Sequence, residues 1–384
     1  MQGKNGFAKS PLLVVLLLLL NACGGESSLT PIATIQANPS QTILSPPLVT
    51  TLIATPNLSV APTATSVPPT TIPALPTLAP TATSVPPTAA PLPTPALSPR
   101  YIEALRKRTY NGGEIKLERL YSSTNAYTAN LITYQSDGLK ISGLIFVPNG
   151  PSGKKYPVAL INHGFFPTTP GAYDSGWDTL RELMFFARNG YITLASDYRN
   201  YARSDKGDNE LEPGYAIDLL NLIEAVKKFP QADPNQITIM GHSMGGEITL
   251  TAMVVNKDLK VAGLFGTMSP DAADNYYARI KWGGRTNQKW IETYGTPDNQ
   301  PEVYRQMSPL TYFKDVKVPV IIHSGNNDTT TPPAWSVKTR DALLAAGKKA
   351  ELYTYPGEGH SLNGVAFDQA MQRTLSFFNS VLGR

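Results

Sequence analysis

The sequence predicts an α/β protein with a mostly parallel central sheet and helices on both faces, and three observations carry that reading. After Arg100 the chain alternates between short apolar, β-branched runs and amphipathic stretches at helical spacing. Pro157 to Asn162 is a continuous apolar run ending in Asn, as expected of a strand buried on both faces. Ile237 to Gly246, read I-T-I-M-G-H-S-M-G-G, is a strand driven into a glycine-flanked turn and followed by an apolar-periodic stretch from Ile248 to Met253.

The elements follow in order. Tyr101 to Tyr110 reads as a helix, and Ala129 to Val147 as a β-hairpin turning at Ser136-Asp137-Gly138. After the Pro157 strand, Gly176 to Asn189 is predicted helical, with Leu180, Leu183, Met184 and Ala187 on one stripe and Gly190 just past its end. Tyr191 to Asp197 is a strand. Tyr215 to Phe229 is read as an amphipathic helix, with Ala216, Leu219, Leu220, Ile223 and Val226 on its apolar stripe. Beyond the Ile237 segment, strands are predicted at Val261 to Phe265, Val318 to Ser324 and Glu351 to Tyr355, with helices at Pro333 to Ala346 and Val365 to Leu382. Between Pro270 and Phe313 the alternation breaks. Residues 271–313 hold two of the four tryptophans and a run of tyrosines, and are read as a candidate lid or substrate wall, or as aromatics packing an insertion onto the domain.

Residues 1–99 have a different character. Lys4 and Lys9 precede an apolar run from Pro11 to Leu20 that ends in Leu20-Asn21-Ala22-Cys23. A basic start and a run of about ten apolar residues is signal-peptide-like, since spanning a bilayer takes about 20. Leu20 to Cys23 resembles the lipobox of bacterial lipoproteins, which implies cleavage after residue 22 and lipidation of Cys23. This is the chain's single cysteine, so no intramolecular disulfide can form. Residues 23–99 are then a Pro/Thr-rich tether in which Ala61 to Thr70 recurs at Ala79 to Thr88. Dense proline removes backbone donors and favours polyproline II, with a reach of at most roughly 240 Å at about 3.1 Å per residue. The expected location is therefore extracytoplasmic, with the membrane as partner through the lipid anchor.

Residues 100–384 are enough for one domain with a large core. Two of the 33 Lys+Arg and one of the 29 Asp+Glu precede Arg100, so this region carries a net charge of only +3. With no dense basic patch, a nucleic-acid partner is excluded.

The chemistry is concentrated at Gly241-His242-Ser243-Met244-Gly245, which fits the G-x-S-x-G nucleophile elbow. A serine hydroxyl needs a base, a group to orient that base and donors for an oxyanion. Of four histidines, His163, His242 and His323 fall on the loop after the Pro157 strand, in the elbow and inside a strand. His360 remains, in the glycine-rich loop Gly357 to Ser361, as the expected base. Asp328, after the Val320 to Ser324 strand, is the expected acid, and Asp271 is the second candidate. The order Ser243, Asp328, His360 is that of α/β-hydrolases. The expected oxyanion donors are the N–H groups of Met244 and Phe165, with Phe166 next, and His163 is read as a brace. No metal or other cofactor is implied, because His and Cys are too few and scattered for a ligand cluster.

Asn162-His163-Gly164, Asp197 to Ser204, Asp233 to Ile237, Gly325 to Asp328 and Gly359-His360 together resemble the catalytic domain of the prolyl oligopeptidase family. That resemblance implies an α/β-hydrolase fold and a serine hydrolase acting on peptide or ester substrates, since related stand-alone domains include carboxylesterases. Asn200 and Ala202 stand where the family commonly has glycine. A non-catalytic surface module on the same fold is the rival of another class, and a missing triad member would have indicated it.

Overall fold

The computed structural model describes residues 101–209, 213–283 and 288–384. The signal segment, the tether and Cys23 lie outside the described residues. Helix α1 is Ile102–Lys107, and strands β1 (Lys116–Ser123), β2 (Tyr127–Ser136), β3 (Leu139–Pro148) and β4 (Tyr156–Asn162) follow. Then come α2 (Leu180–Arg188), β5 (Ile192–Ser196), α3 (Pro213–Val226), β6 (Ala232–His242), α4 (Met244–Val255) and β7 (Val261–Phe265). Helices α5 (Ala272–Lys281), α6 (Gln288–Tyr294) and α7 (Pro301–Met307), with a 3-10 turn at Pro309–Asp315, fill the expected insertion. The domain ends with β8 (Val320–Gly325), α8 (Pro333–Ala345), β9 (Ala350–Tyr355) and α9 (Gly364–Leu382).

The nine strands form one sheet in the order β1-β2-β3-β5-β4-β6-β7-β8-β9. Pairs among β1, β2, β3 and β5 are antiparallel, and all pairs from β5 through β4 to β9 are parallel. Side chains alternate across this sheet with the period of two that strand geometry imposes. Val158, Leu160, Ile237, Ile239 and Ile322 enter one apolar cluster with residues of α1, α3, α4 and α8. Ala159, Ile161, Met240 and Ile321 enter the other with Leu183 and Phe186 of α2 and Met371 and Phe378 of α9. Because both faces are covered, the strands read as unbroken apolar runs rather than alternating ones.

Two expectations need correction, and one element is new. Helix α2 starts at Leu180, four residues later than expected, and residues 176–179 form turns that present Trp177 and Asp178. Helix α3 is not amphipathic, because it packs against β2, β5, β6 and α4 and is buried on nearly every side. Strand β1 is an addition to the expected elements. Its residues are almost all exposed, so no alternation marks it, and pairing with β2 at the sheet edge is what makes it a strand.

Candidate active site

Strand order reverses around β4, which has β5 on one side and β6 on the other. Loops leaving β4 and β6 therefore diverge at their C-terminal ends, where open α/β sheets place their sites. Register pairs Asn162 with Gly241 across that switch point. The β4 loop carries His163 to Phe166, and the β6 turn carries Ser243.

Ser243 has φ 55° and ψ −119°, a conformation that costs a non-glycine residue energy and is held by its surroundings. Its N–H donates to the Phe265 carbonyl at 3.0 Å, and its own carbonyl accepts from Met268 at 3.3 Å and from Gly246 at 2.9 Å. A Cβ on Gly241 would collide with the Gly245 carbonyl, and one on Gly245 with the Asn162 carbonyl, which is why this turn takes glycine at both positions. Although Ser243 occupies the N-cap position of α4, its side chain makes no capping hydrogen bond. An ordinary capping serine would use its hydroxyl this way.

His360 lies in the loop after β9, and Asp328 in the loop after β8. His360 Nδ1 donates to Asp328 Oδ2 at 2.9 Å. Asp328 is buried at 5% exposure and also accepts from the N–H groups of Thr330 and Thr331 at 2.8 Å and from the Thr331 hydroxyl at 2.7 Å. Burial opposes the Asp328 charge most strongly, yet the hydrogen bonds from His360 and Thr331 outweigh it and hold the carboxyl below its ordinary value. With Nδ1 engaged as donor, a neutral His360 ring has its free lone pair on Nε2. Thr331, which also sits 3.1 Å from His360 Nδ1, is a site residue that sequence reasoning missed. Its position three residues after Asp328 is the spacing of a side chain folding back onto its own turn, and that was the available signal.

Met244 is the first residue of α4, so its N–H has no intrahelical acceptor. In the β4 loop, the Gly164 N–H donates to Asp178 Oδ2 at 3.2 Å. The next amide is that of Phe165, a residue 64% exposed. His163 is buried, its Nδ1 bonded to the Gly164 carbonyl at 2.7 Å and its ring stacked 4.4 Å from Tyr173. Burial lowers its pKa, and it braces the loop as expected. His323 is buried between the Tyr355 and Thr374 hydroxyls, with its pKa pushed down to about 3 chiefly by burial. Asp271, the second candidate acid, caps α5 through the Ala273 N–H and pairs with Lys338 at 2.8 Å. It is committed to the insertion.

Trp290 donates to the Tyr304 hydroxyl at 2.8 Å, and both pack with Tyr276, so these aromatics join α5, α6 and α7 of the insertion to one another. The cavity there is lined by Ile102, Ala216, Ile248, Trp290 and Met307, and includes neither Ser243 nor His360. A second cavity, lined by Asp178, Glu182, His242, Gly266, His360 and Phe367, lies between α2 and the His360 loop.

Sheet order, a strained serine at the switch point and a histidine-carboxylate pair on the last two strand loops define an α/β-hydrolase. Residues 177–384 match the prolyl oligopeptidase family, and the chain belongs to it. It is 27% identical over 240 residues to an isoprenylcysteine α-carbonyl methylesterase of Arabidopsis thaliana, covering 56% of this chain and 53% of that one. It is 25% identical over 242 residues to dipeptidyl aminopeptidase BIII of Pseudoxanthomonas mexicana, covering 59% and 34%. The chain thus spans about half or less of these relatives. Among solved structures, an acetyl xylan esterase from Paenibacillus sp. R4 superposes with a TM-score of 0.56 at 17% identity, covering 73% and 92%. An acylaminoacyl peptidase of Pyrococcus horikoshii superposes at 0.53 and 22% identity, covering 66% and 41%. Both likenesses speak for the fold.

Proposed function

We propose that residues 100–384 form a serine hydrolase that cleaves ester or peptide bonds through an acyl-enzyme. The observation that carries the reading is the buried Asp328 bonded to His360 on the loops beside a strained, non-capping Ser243. Ser243 Oγ attacks the substrate carbonyl while His360 Nε2 takes its proton, and Asp328 orients the ring and stabilises the imidazolium. Met244 and Phe165 N–H groups receive the oxyanion. His360 then returns the proton to the leaving alcohol or amine. Water, deprotonated by the same imidazole, releases the acid.

Small substrates fit this chain better than long folded ones. Its relatives include esterases as well as peptidases. Labelling with a fluorophosphonate probe should modify Ser243 and block turnover of short p-nitrophenyl esters. Hydrolysis of proline-containing dipeptide amides far more efficient than that of every ester would overturn the esterase half of the reading, and absence of labelling would overturn the mechanism.

Leu20 to Cys23 supports a lipid-anchored, extracytoplasmic placement, with Cys23 lipidated after removal of residues 1–22. Two or more acyl chains would hold such a protein stably on a membrane. Wild-type protein should enter the detergent phase, and Cys23→Ser should not. Membrane fractionation of Cys23→Ser would place the anchor elsewhere.

A further inference from the structure

The variable position of the elbow is a second histidine, and the catalytic reading leaves it without a role. His242 is partly buried, with its ring centroid 4.6 Å from that of His360. Its Nε2 lies 3.0 Å from the His360 backbone carbonyl, an atom that can only accept, so Nε2 carries a proton. Its Nδ1 lies 3.7 Å from Asp178 Oδ2, the oxygen that also accepts from the Gly164 N–H. A methyl group added at Gly164 would sit 3.4 Å from Asp178 Oδ2, 3.5 Å from His242 Nδ1 and 3.5 Å from Ser243 Cβ, so all three converge on that glycine.

The groups facing His242 favour a proton on each nitrogen. Asp178, before α2, is held below its ordinary pKa because its contacts with His242 and Gly164 outweigh burial. Glu182, on the first turn of α2, adds a carboxyl whose Oε2 is sealed without a partner and whose pKa burial pushes up to about 7. From the other side come His360 and, behind it, Asp328. Burial is the largest influence on His242 and opposes its charge, but Asp178, the His360 carbonyl and Glu182 together raise its pKa above the ordinary value.

We infer that His242 is a positioning residue for the proposed hydrolysis. With Nε2 donating to the His360 carbonyl and Nδ1 facing the Asp178 carboxylate at 3.7 Å, it ties the loop carrying His360, through Asp178, to the loop carrying the Phe165 N–H. The inference rests on the Ser243-His360-Asp328 reading. One side chain then sets both the reach of the base over the nucleophile and the height of the oxyanion donor. A shift of about 1 Å in such a group costs about 10²-fold in rate.

The test compares His242→Ala, His242→Gln and Asp178→Asn in the full chain, with thermal unfolding to verify folding. His242→Ala should lower kcat by about 10²-fold with KM within about twofold, and peptides spanning residues 356–363 should exchange amide hydrogen faster. His242→Gln keeps one donor for the His360 carbonyl and should recover loop protection and most of kcat at neutral pH. Wild-type kcat should fall as pH rises through the His242 value, because the imidazolium is lost there, and that alkaline decline should vanish in His242→Gln. Asp178→Asn should move the decline to lower pH. A kcat for His242→Ala within twofold of wild type, unchanged exchange of the loop, or an unaltered alkaline decline in His242→Gln would each overturn the inference. If His242→Ala does not fold, the pH profiles of the other two variants decide between the same outcomes. Activity surviving in Ser243→Ala would instead overturn the triad reading, and loop exchange, which needs no turnover, would still test the clamp.

Discussion

At the scale of single residues, the site concentrates cost at a few atoms. Ser243→Ala, His360→Ala and Asp328→Asn should each lower kcat by about 10³-fold or more, and the Ser243→Ala/His360→Ala double variant should be little worse than either single, because the members act as a unit. Steady-state kinetics on a short ester decide this, and full activity in Ser243→Ala would end the assignment. Asp197, at the end of β5, gives a stability prediction. Burial pushes its carboxyl up to about 6, although the Ser142 and Ser175 hydroxyls donate to it at 2.5 and 2.6 Å. An unfolded aspartate titrates near about 3.9. The folded state therefore holds this proton more tightly. The resulting stabilisation is full below about pH 4 and is lost as pH rises to about 6, by an amount on the order of 2–3 kcal/mol. Comparing Tm between pH 4 and 7 should show a component of this sign in wild type that Asp197→Asn lacks. Identical pH dependence in the two proteins would refute it.

At the scale of elements, the segment after β5 shows how a departure from a family pattern is accommodated. Tyr198, Asn200 and Ala202 have φ of 56°, 73° and 46°, so the positions of Asn200 and Ala202 do require the left-handed region that glycine favours. Asn200 compensates by bonding both the N–H and the carbonyl of Gly207 at 3.0 Å. Arg199 is fixed against Asp218 of α3 at 2.7 Å, an ion pair buried between helix and sheet. Ala202 has no such device. Ala202→Gly should relieve about 1 kcal/mol of strain, less the greater freedom of glycine in the unfolded chain. A net rise in Tm of roughly 1–2 °C follows for a domain of this size. A fall in Tm would mean that the strain is absent. The same segment shows what patterns in a sequence conceal. Apolar spacing assigned α3 an exposed face, but two of its polar side chains, Asp218 and Asn221, point inward to Arg199, Ser136 and the Gly112 backbone.

At the scale of the whole molecule, both apolar clusters, among the described residues, draw on elements from α1 to α9. A segment as rich in Pro and Thr as residues 23–99 is expected to bury too little apolar surface to add to them. A truncated chain beginning at Pro99 should therefore unfold cooperatively and keep its kcat, as measured by thermal melting and ester turnover. Loss of cooperativity would make the tether part of the fold. What the sequence by itself determined was whatever depends on neighbours along the chain. Apolar runs of buried strands, glycines around Ser243 and the succession of Ser243, Asp328 and His360 are local signals, and the parallel sheet and candidate triad were legible from them. Only the tertiary structure decided what depends on register and on side chains meeting across elements. It brought Asp178 under Gly164, set His242 against the His360 carbonyl and paired an exposed β1 with the sheet edge. His242 and His360 lie 118 positions apart, and no spacing in the chain encodes such a contact.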